Sequence, residues 1–327
     1  MSSISDDLKH AQSLLVNLLN NNSRGQLIGQ HTDDINHTME MLADDNSRDY
    51  FRREIQFLYL LGLGSQVASD LTSRMKMAEF NAIMNNLSQH PEQYQLPTIT
   101  APQKDAFVLF YSLATNMVIN QYEYQDKVKV REGDIFLDCG ACLGDTALWA
   151  YSKGAKTVYS FEPSPANYKY LQLNFKQNHI AEDLAILSAV GKEKGTLPFL
   201  LENQQLHAGA CRCISEEWAQ EIEGSTNADL KKALTRVDCI KLDDFCKERN
   251  VTPTFIKMDI EGAELDALQG AAATIKQHKP RLAICLYHNV AHMWEIPAYV
   301  KSLVPEYKLY CKKNHPMWEF VLYATVD

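Results

Sequence analysis

The stretch from Asp134 to Pro163, DIFLDCGACLGDTALWAYSKGAKTVYSFEP, constrains the fold more than any other part of the sequence. A short apolar run ends at Asp138 and leads into a turn that is bracketed by Gly140 and Gly144. A helical segment follows, and then a second apolar run that ends at Glu162. This order predicts strand, turn, helix and strand. Because ligands bind outside the carboxyl ends of the strands in an open α/β sheet, the turn and the acid should share one crevice.

The turn and the acid also indicate the kind of ligand. The carboxylate of Glu162 can accept hydrogen bonds from both hydroxyls of a ribose. A dinucleotide fingerprint requires G-x-G-x-x-G, whereas this turn reads Asp138-x-Gly140-x-Cys142-x-Gly144. The carboxylate of Asp138 would repel a pyrophosphate, and it suits the cationic amino-acid end or the hydroxyls of S-adenosylmethionine (SAM). The pattern therefore favours SAM over a dinucleotide.

The same residues resemble motif I and the following acid of class I SAM-dependent methyltransferases. More narrowly, DCGACLGDT…VYSFEPSPANYKYLQLN and the later FIKMDIEGAELDALQGA resemble the FkbM family of O-methyltransferases. The resemblance covers about Tyr122 to Tyr323. It implies SAM as the methyl donor and a hydroxyl of a sugar or a polyketide-like natural product as the acceptor. One position departs from the class I pattern, because Cys142 stands where the middle of the turn commonly has Gly.

Alternating apolar and amphipathic segments predict an α/β fold for residues 122–327. We expect a Rossmann-like class I methyltransferase sheet that is mostly parallel with an antiparallel last strand. One continuous helix is expected from Gly262 to Gln277. Besides the two runs above, strands are expected at residues 185–191, 195–201, 254–259, 281–287, 308–311 and 320–325.

The N-terminal part of the chain lacks strand alternation and carries apolar residues at helical spacing, as in Phe51, Ile55 and Leu58. We expect a helical accessory region over residues 1–96, interrupted by the polar segment 20–29, and a linker with a lead-in helix over 97–121. The helical region either covers one side of the core or forms a dimer contact, or else it recognises a substrate or partner.

The segment from Leu206 to Gly224 has no clear period, and we expect it to be a loop or lid over the substrate. His207 lies in this segment. A single histidine in a loop is more often solvated than catalytic.

The cofactor should be bound by residues of the glycine turn, of the two strand ends beside it and of the third strand. In this fold the end of the third strand lies against the adenine. The candidate cofactor-binding residues are Asp138, Gly140, Ala141, Gly144, Asp145, Thr146, Glu162, Pro163, Ala189 and Val190.

Methyl transfer to an alcohol needs a group that removes the proton of the acceptor hydroxyl. His288 is the first candidate for this base, because it follows a strand directly and its ordinary pKa leaves it mostly neutral. Asp259, at the end of the preceding strand, should face the cofactor or the acceptor hydroxyl. Lys257 is a further catalytic candidate, although pairing with a nearby acid is its more common role.

Three more residues are candidates for substrate orientation. Glu261 and Glu264 lie at a helix start, where acids are also favoured by the helix dipole. Tyr122 belongs to a segment that resembles the one before motif I in the family, and it either covers the cofactor or packs as an ordinary aromatic. No metal is expected unless the enzyme uses Mg²⁺, in which case Asp259, Glu261 and Glu264 are the ligands.

Composition limits the partners of the chain. Its 327 residues carry a net charge of −9, which gives no electrostatic help toward nucleic acid. The start, MSSISDDLKH, lacks the apolar core of a signal peptide, and no run approaches the roughly 20 apolar residues of a membrane span. We expect a cytoplasmic enzyme that acts on a small molecule or a saccharide. The N-terminal helices offer a surface for a homo-oligomer.

Two other classes of function compete with this interpretation. A non-catalytic SAM- or nucleotide-binding module would predict loss of Asp138 or Glu162, and both are present. A nicotinamide-dependent oxidoreductase would need the missing G-x-G-x-x-G. Cys139 and Cys142 form a C-x-x-C, but no second pair completes a zinc site.

Overall fold

A seven-stranded sheet forms the centre of the fold. The computed structural model describes residues 9, 13, 19, 22–201 and 211–327. Its strands are β1 (Ile135–Cys139), β2 (Thr157–Phe161), β3 (Ala185–Ile186), β4 (Ala189–Val190), β5 (Gly195–Leu200), β6 (Arg212–Cys213), β7 (Leu234–Ile240), β8 (Phe255–Met258), β9 (Arg281–Cys285), β10 (Lys308–Lys313) and β11 (Phe320–Thr325).

The strands of the main sheet follow the order β10-β11-β9-β8-β1-β2-β3. The pairs from β9 to β3 are parallel, and β11 runs antiparallel to both β9 and β10. The prediction of a mostly parallel sheet with an antiparallel last strand is therefore confirmed. Every residue of β8, β9 and β11 is buried, which explains why apolar residues dominate these strands, with Lys257 and Arg281 as charged exceptions.

The single strand predicted for residues 185–191 is wrong, because the chain changes sheets within it. β3 closes the edge of the main sheet, whereas β4 belongs to a second sheet of order β4-β7-β5-β6. Ser188 lies between them and is buried, and its hydroxyl donates to the carbonyl of Asp238 at 3.0 Å. This side-chain hydrogen bond holds the step from one sheet to the other.

Helices pack around the two sheets. In the described residues the α-helices are Ser23–Gln30, Thr32–Met41, Asp45–Leu60, Ser65–Thr72, Met77–Gln89, Ala106–Leu113, Asp145–Ser152, Pro165–Gln177, Glu216–Gly224, Ala228–Ala233, Leu242–Arg249, Glu264–Gly270, Ala272–His278 and His292–Leu303. None of the helices in this part of the chain has the length and apolarity that are required to cross a membrane.

Three predictions about helical segments are wrong. The polar segment 20–29 does not stay irregular: helix Ser23–Gln30 begins there because the side chain of Asn22 accepts a hydrogen bond from the Gly25 amide at 2.7 Å. In the same way, the hydroxyl of Ser215 caps a helix over Glu216–Gly224, where a loop was expected. The helix expected from Gly262 to Gln277 is divided at Ala271, directly after a glycine, which is a weak helix former.

The N-terminal helices cover one face of the main sheet. Helix Asp45–Leu60 packs against β10 and buries Phe51 and Phe57 completely. On the same helix, Glu54 forms a buried ion pair with Lys313 of β10 at 2.6 Å. These contacts hold helix Asp45–Leu60 against the sheet, while the role of residues 1–96 and a domain boundary at residue 96 stay predictions.

Candidate active site

A cavity of about 370 Å³ opens at the carboxyl ends of the central strands. Such a volume lies within the range that small-molecule sites occupy. Residues from β1, β2, β4, β8 and β9 or from the turns after them contribute to its wall, together with the segment that leads into the sheet. Lining residues include Tyr111, Thr115, Gln121, Tyr122, Gly140, Cys142, Asp145, Thr146, Glu162, Pro163, Ser188, Ala189, Val190, Arg212, Lys257, Asp259, Glu261, Tyr287, Trp318 and Glu319.

The glycine turn is shaped by left-handed backbone at Gly140 (φ +84°), Cys142 (φ +46°) and Gly144 (φ +91°). A Cβ on Gly140 would lie 1.9 Å from the carbonyl oxygen of Asp259. Two reasons therefore favour glycine at position 140: the backbone angle is left-handed, and the loop after β8 approaches too closely for a Cβ. The Gly140 amide donates to the carbonyl of Phe161 at 3.0 Å, which fastens the turn to the end of β2.

Lys257 of β8 fixes the position of this turn by hydrogen bonds. Its ammonium group donates to the carbonyl of Gly140 at 2.7 Å and to the carboxylate of Asp138 at 3.0 Å. Burial alone would lower the pKa of Lys257, but the charges of Asp138 and Asp259 raise it. Lys257 therefore remains charged, and it pairs with Asp138 rather than with Glu261 or Glu264.

Glu162 presents a carboxylate to the cavity from the end of β2. One of its oxygens accepts from the Cys142 amide at 2.9 Å, and the other accepts from the Ser164 amide at 2.8 Å. Burial raises the pKa of Glu162 to about 7, although these hydrogen bonds oppose the shift. The group therefore changes its charge near neutral pH.

Asp145 marks the start of the helix after the turn, and it contacts residues from the lead-in segment. Asn116 lies in a π-helical turn, Ala114–Val118, and its amide donates to Asp145 at 2.6 Å. Gln121 in turn donates to Asn116 at 2.9 Å. Burial raises the pKa of Asp145 to about 6. Short π-helical turns are frequently found at functional sites.

Asp259 is held at the cavity wall by two tyrosines. The hydroxyl of Tyr122 donates to one carboxylate oxygen at 2.8 Å, and the hydroxyl of Tyr287 donates to the other at 3.2 Å. Nε2 of His288 lies 3.5 Å from this second oxygen and 3.3 Å from a carboxylate oxygen of Glu261. Both carboxylates line the cavity, whereas His288 lies behind them.

Glu264 fixes the ring of His288 from the other side. Its carboxylate is completely buried and lies 2.8 Å from Nδ1 of His288 and 3.3 Å from Nδ1 of His292. Burial would lower the pKa of His288, but the charge of Glu264 and contacts with Glu261 and Glu264 raise it well above 6.5. The neutral imidazole that the sequence analysis assumed is therefore disfavoured in this environment.

Several of the predicted site residues lie together at the cavity, and others do not. Asp138, Ala141, Gly144, Glu264 and His288 lie behind the residues of the cavity wall. His207 falls outside the described residues. The predicted site residues that line the cavity are Gly140, Asp145, Thr146, Glu162, Pro163, Ala189, Val190, Tyr122, Lys257, Asp259 and Glu261. Their binding and catalytic roles stay predictions.

Sequence reasoning missed Tyr111 and Glu319 of the cavity wall and Asn116 behind it. Glu319 lies before β11 with left-handed backbone (φ +57°), and Tyr111 donates to it at 3.1 Å. Burial and the charge of Asp259 raise the pKa of Glu319 to about 8. Nothing in the local sequence marks Glu319, but Asn116 could have been found as a polar residue inside an otherwise apolar helical segment.

The fold and the site define a Rossmann-like methyltransferase domain, with a glycine turn and an acid at adjacent strand ends. The chain belongs to the FkbM methyltransferase family, because the family model described as "Methyltransferase FkbM domain" matches residues 138–310, more than half of the chain. This finding confirms the resemblance stated above.

Two relatives illustrate how far the similarity extends. "Methyltransferase 1" from Beauveria bassiana (strain ARSEF 2860) is 25% identical over an alignment of 148 residues. This match covers 42% of this chain and 59% of that protein. The crystal structure of methyltransferase FkbM from Methylobacillus flagellatus KT matches with a TM-score of 0.54 and 21% identity. That match covers 93% of this chain and 61% of the other chain. The likeness to this structure shows the fold.

Replacing Gly140 by Ala tests whether the turn and the loop after β8 need their close approach. We expect Gly140→Ala to lower the free energy of unfolding by about 2–3 kcal/mol, since the new Cβ collides with backbone and the left-handed angle is strained. Chemical denaturation measures the change. Gly195→Ala is the matched control, because a Cβ there meets nothing within 4 Å. Equal stability of the two variants would show that the approach is not required.

Proposed function

We propose that this chain transfers a methyl group from SAM to a hydroxyl oxygen of a small-molecule or saccharide acceptor. One observation carries the proposal. Glu162 and Gly140, which suit a SAM molecule, line the same cavity as Asp259, which suits an acceptor hydroxyl. A cofactor and an acceptor bound there would meet inside one cavity, as methyl transfer requires.

The cofactor half of the cavity fits the parts of SAM. Glu162 would accept hydrogen bonds from the ribose hydroxyls, and Ala189 with Val190 would lie against the adenine. The amino-acid end would lie at Gly140 and Asp145. Asp138 would not contact SAM directly, because it lies behind the cavity wall and its carboxylate is paired with Lys257.

The charge of the cavity also supports a cationic cofactor. Its wall carries the acids Asp145, Glu162, Asp259 and Glu261, and against these the cations Lys257 and Arg212. Glu319 also lines the wall, but its pKa of about 8 leaves it mostly uncharged at neutral pH. SAM brings a positive sulfonium and an ammonium group, which this excess of carboxyl groups attracts. A dinucleotide brings a negative pyrophosphate, which the same groups repel. The charge therefore opposes the alternative of a nicotinamide-dependent oxidoreductase.

Asp259 is the residue that would handle the acceptor. SAM would supply an activated methyl group, which the acceptor oxygen would bond to as the methyl–sulfur bond breaks. The hydroxyl proton must leave in the same process, and the carboxylate of Asp259 lies at the cavity wall to accept it. The two tyrosine hydroxyls fix the orientation of that carboxylate. His288 and Glu261 would position Asp259, and His288 is disfavoured as the base by its position behind the wall.

SAM binding to the purified protein tests the cofactor assignment. Ribose hydroxyls bind the ionised form of Glu162, whose pKa is about 7. Affinity is therefore present above this pKa and is lost as the pH falls through it. By calorimetry we expect wild type to bind SAM about tenfold more tightly at pH 8 than at pH 6, after the pH dependence of Glu162→Gln has been divided out. The Glu162→Gln variant itself should bind SAM weakly at both pH values.

The exposed variant Glu193→Gln serves as the control and should keep the wild-type pH dependence. The charge of Asp145 changes in the same direction, and the comparison with Glu162→Gln removes its contribution. Binding of NAD without binding of SAM would refute the proposed cofactor, and wild-type affinity in Glu162→Gln would refute the role of this carboxylate.

Methyl transfer is tested with methyl-labelled SAM and a panel of hydroxyl-bearing sugars and natural products. We expect Asp259→Asn to bind SAM nearly as well as wild type but to transfer the label about 100-fold more slowly, because the amide cannot accept the proton. Asp266→Asn, at an exposed position on the following helix, should transfer at the wild-type rate. An unchanged rate in Asp259→Asn would assign proton removal to another group.

A further inference from the structure

The imidazole of His288 directs one nitrogen into the space between two carboxylates. Its side chain is only 6% exposed. Among the described residues, Nε2 of His288 has no hydrogen-bond partner of acceptable geometry, even though carboxylate oxygens of Asp259 and Glu261 lie nearby. We propose that Asp259, Glu261 and His288 form a binding site for a divalent metal ion. This differs from the set expected from sequence, in which Glu264 was the third ligand.

The separations between these atoms match those of ligands around one ion. Nε2 lies 3.5 Å from the oxygen of Asp259 and 3.3 Å from that of Glu261, both long for charge-assisted hydrogen bonds. Ligands at about 2.1 Å from a metal ion stand roughly 3.0–3.4 Å apart in octahedral or tetrahedral geometry. All three atoms lie within 4.8 Å of one another, so one ion can reach them after small side-chain rotations.

Glu264 supplies the support that a metal-binding histidine usually has. A ligating histidine commonly donates its other ring N–H to a carboxylate, which fixes the ring and its tautomer. Here Nδ1 of His288 lies 2.8 Å from the completely buried carboxylate of Glu264. An ion bound here would displace the Nε2 proton that the surrounding carboxylates favour on His288, since metal binding releases protons from its ligands. Donation from Nδ1 then leaves the lone pair of Nε2 directed at Asp259 and Glu261.

The donor set indicates the kind of ion. Two carboxylates and one imidazole suit a first-row divalent ion such as Mn²⁺ better than Ca²⁺, which prefers oxygen ligands. A second group of potential ligands, Asp259 with Cys285 and Glu319, lies on the other side of Asp259. It is less suited to an ion, because burial holds the thiol of Cys285 in its protonated form by raising its pKa.

The site is independent of SAM binding, because none of its three ligands belongs to the cofactor half of the cavity. Asp259 and Glu261 line the cavity, so the remaining coordination positions of an ion would face the acceptor. If the proposed methyl transfer holds, a bound ion would be placed beside the acceptor hydroxyl, where a Lewis acid makes a hydroxyl easier to deprotonate. The ion would take the Asp259 oxygen that faces His288, and the other oxygen of this carboxylate would accept the proton.

Mn²⁺ binding to the full chain without SAM tests the site, measured from the loss of the paramagnetic resonance signal of the free aqueous ion. We expect wild type to bind one Mn²⁺ per chain, and His288→Ala and Glu261→Gln to weaken binding at least tenfold. Glu264→Gln should weaken it about ten- to 100-fold, because it removes the support of the histidine. His37→Ala, on an exposed helix, is the matched control and should bind as wild type does.

Each result decides one part of the inference. Wild type that binds no Mn²⁺, or that loses nothing in both His288→Ala and Glu261→Gln, would overturn the site. If His288→Ala fails to fold, Glu261→Gln still gives the answer, since this side chain is 26% exposed. A SAM titration of the same protein separates the two proposals. Binding of SAM without binding of Mn²⁺ would refute only the metal site, and binding of Mn²⁺ without binding of SAM would refute only the cofactor assignment.

Discussion

The buried ion pair between Lys257 and Asp138 is the interaction on which the site depends. Both side chains are almost completely buried, and the pair joins the adjacent central strands β8 and β1. Lys257 also binds the carbonyl of Gly140, so a single ammonium group sets the position of the glycine turn. Removing one partner of such a pair leaves an uncompensated charge, at a cost of about 3–5 kcal/mol. The turn is thus fixed before any ligand arrives.

The remaining carboxyl groups are arranged in two sets around this pair. Glu162 and Asp145 lie beside the turn, and Asp259 and Glu261 lie beside His288. The first set suits the hydroxyls and cationic groups of SAM, and the second suits an acceptor with its departing proton, or an ion. Burial disfavours the charged form of Glu162 unless a ligand or a higher pH offsets the cost of burying the charge. Binding of a cofactor at Glu162 would therefore be linked to release of its proton.

The sequence predicted the features that depend on local pattern. Continuous apolar runs such as residues 282–285 indicated buried parallel strands, and the spacing of Gly140 and Glu162 placed both at one crevice. Other features depend on contacts between distant segments. Glu319 meets Asp259 only because β11 is inserted beside β9, and no local signal reveals this. The charge of His288 was misjudged for the same reason, since Glu264 reaches it only in the folded chain.

A crystal structure of the protein with S-adenosylhomocysteine, the product that SAM leaves after transfer, tests the central claim most directly. The account predicts both ribose hydroxyls within hydrogen-bond distance of the Glu162 carboxylate and the adenine beside Ala189 and Val190. It also predicts that the sulfur faces Asp259. Electron density for the nucleoside elsewhere, or a ribose that leaves Glu162 unbound, would contradict the assignment of this cavity to a methyl donor.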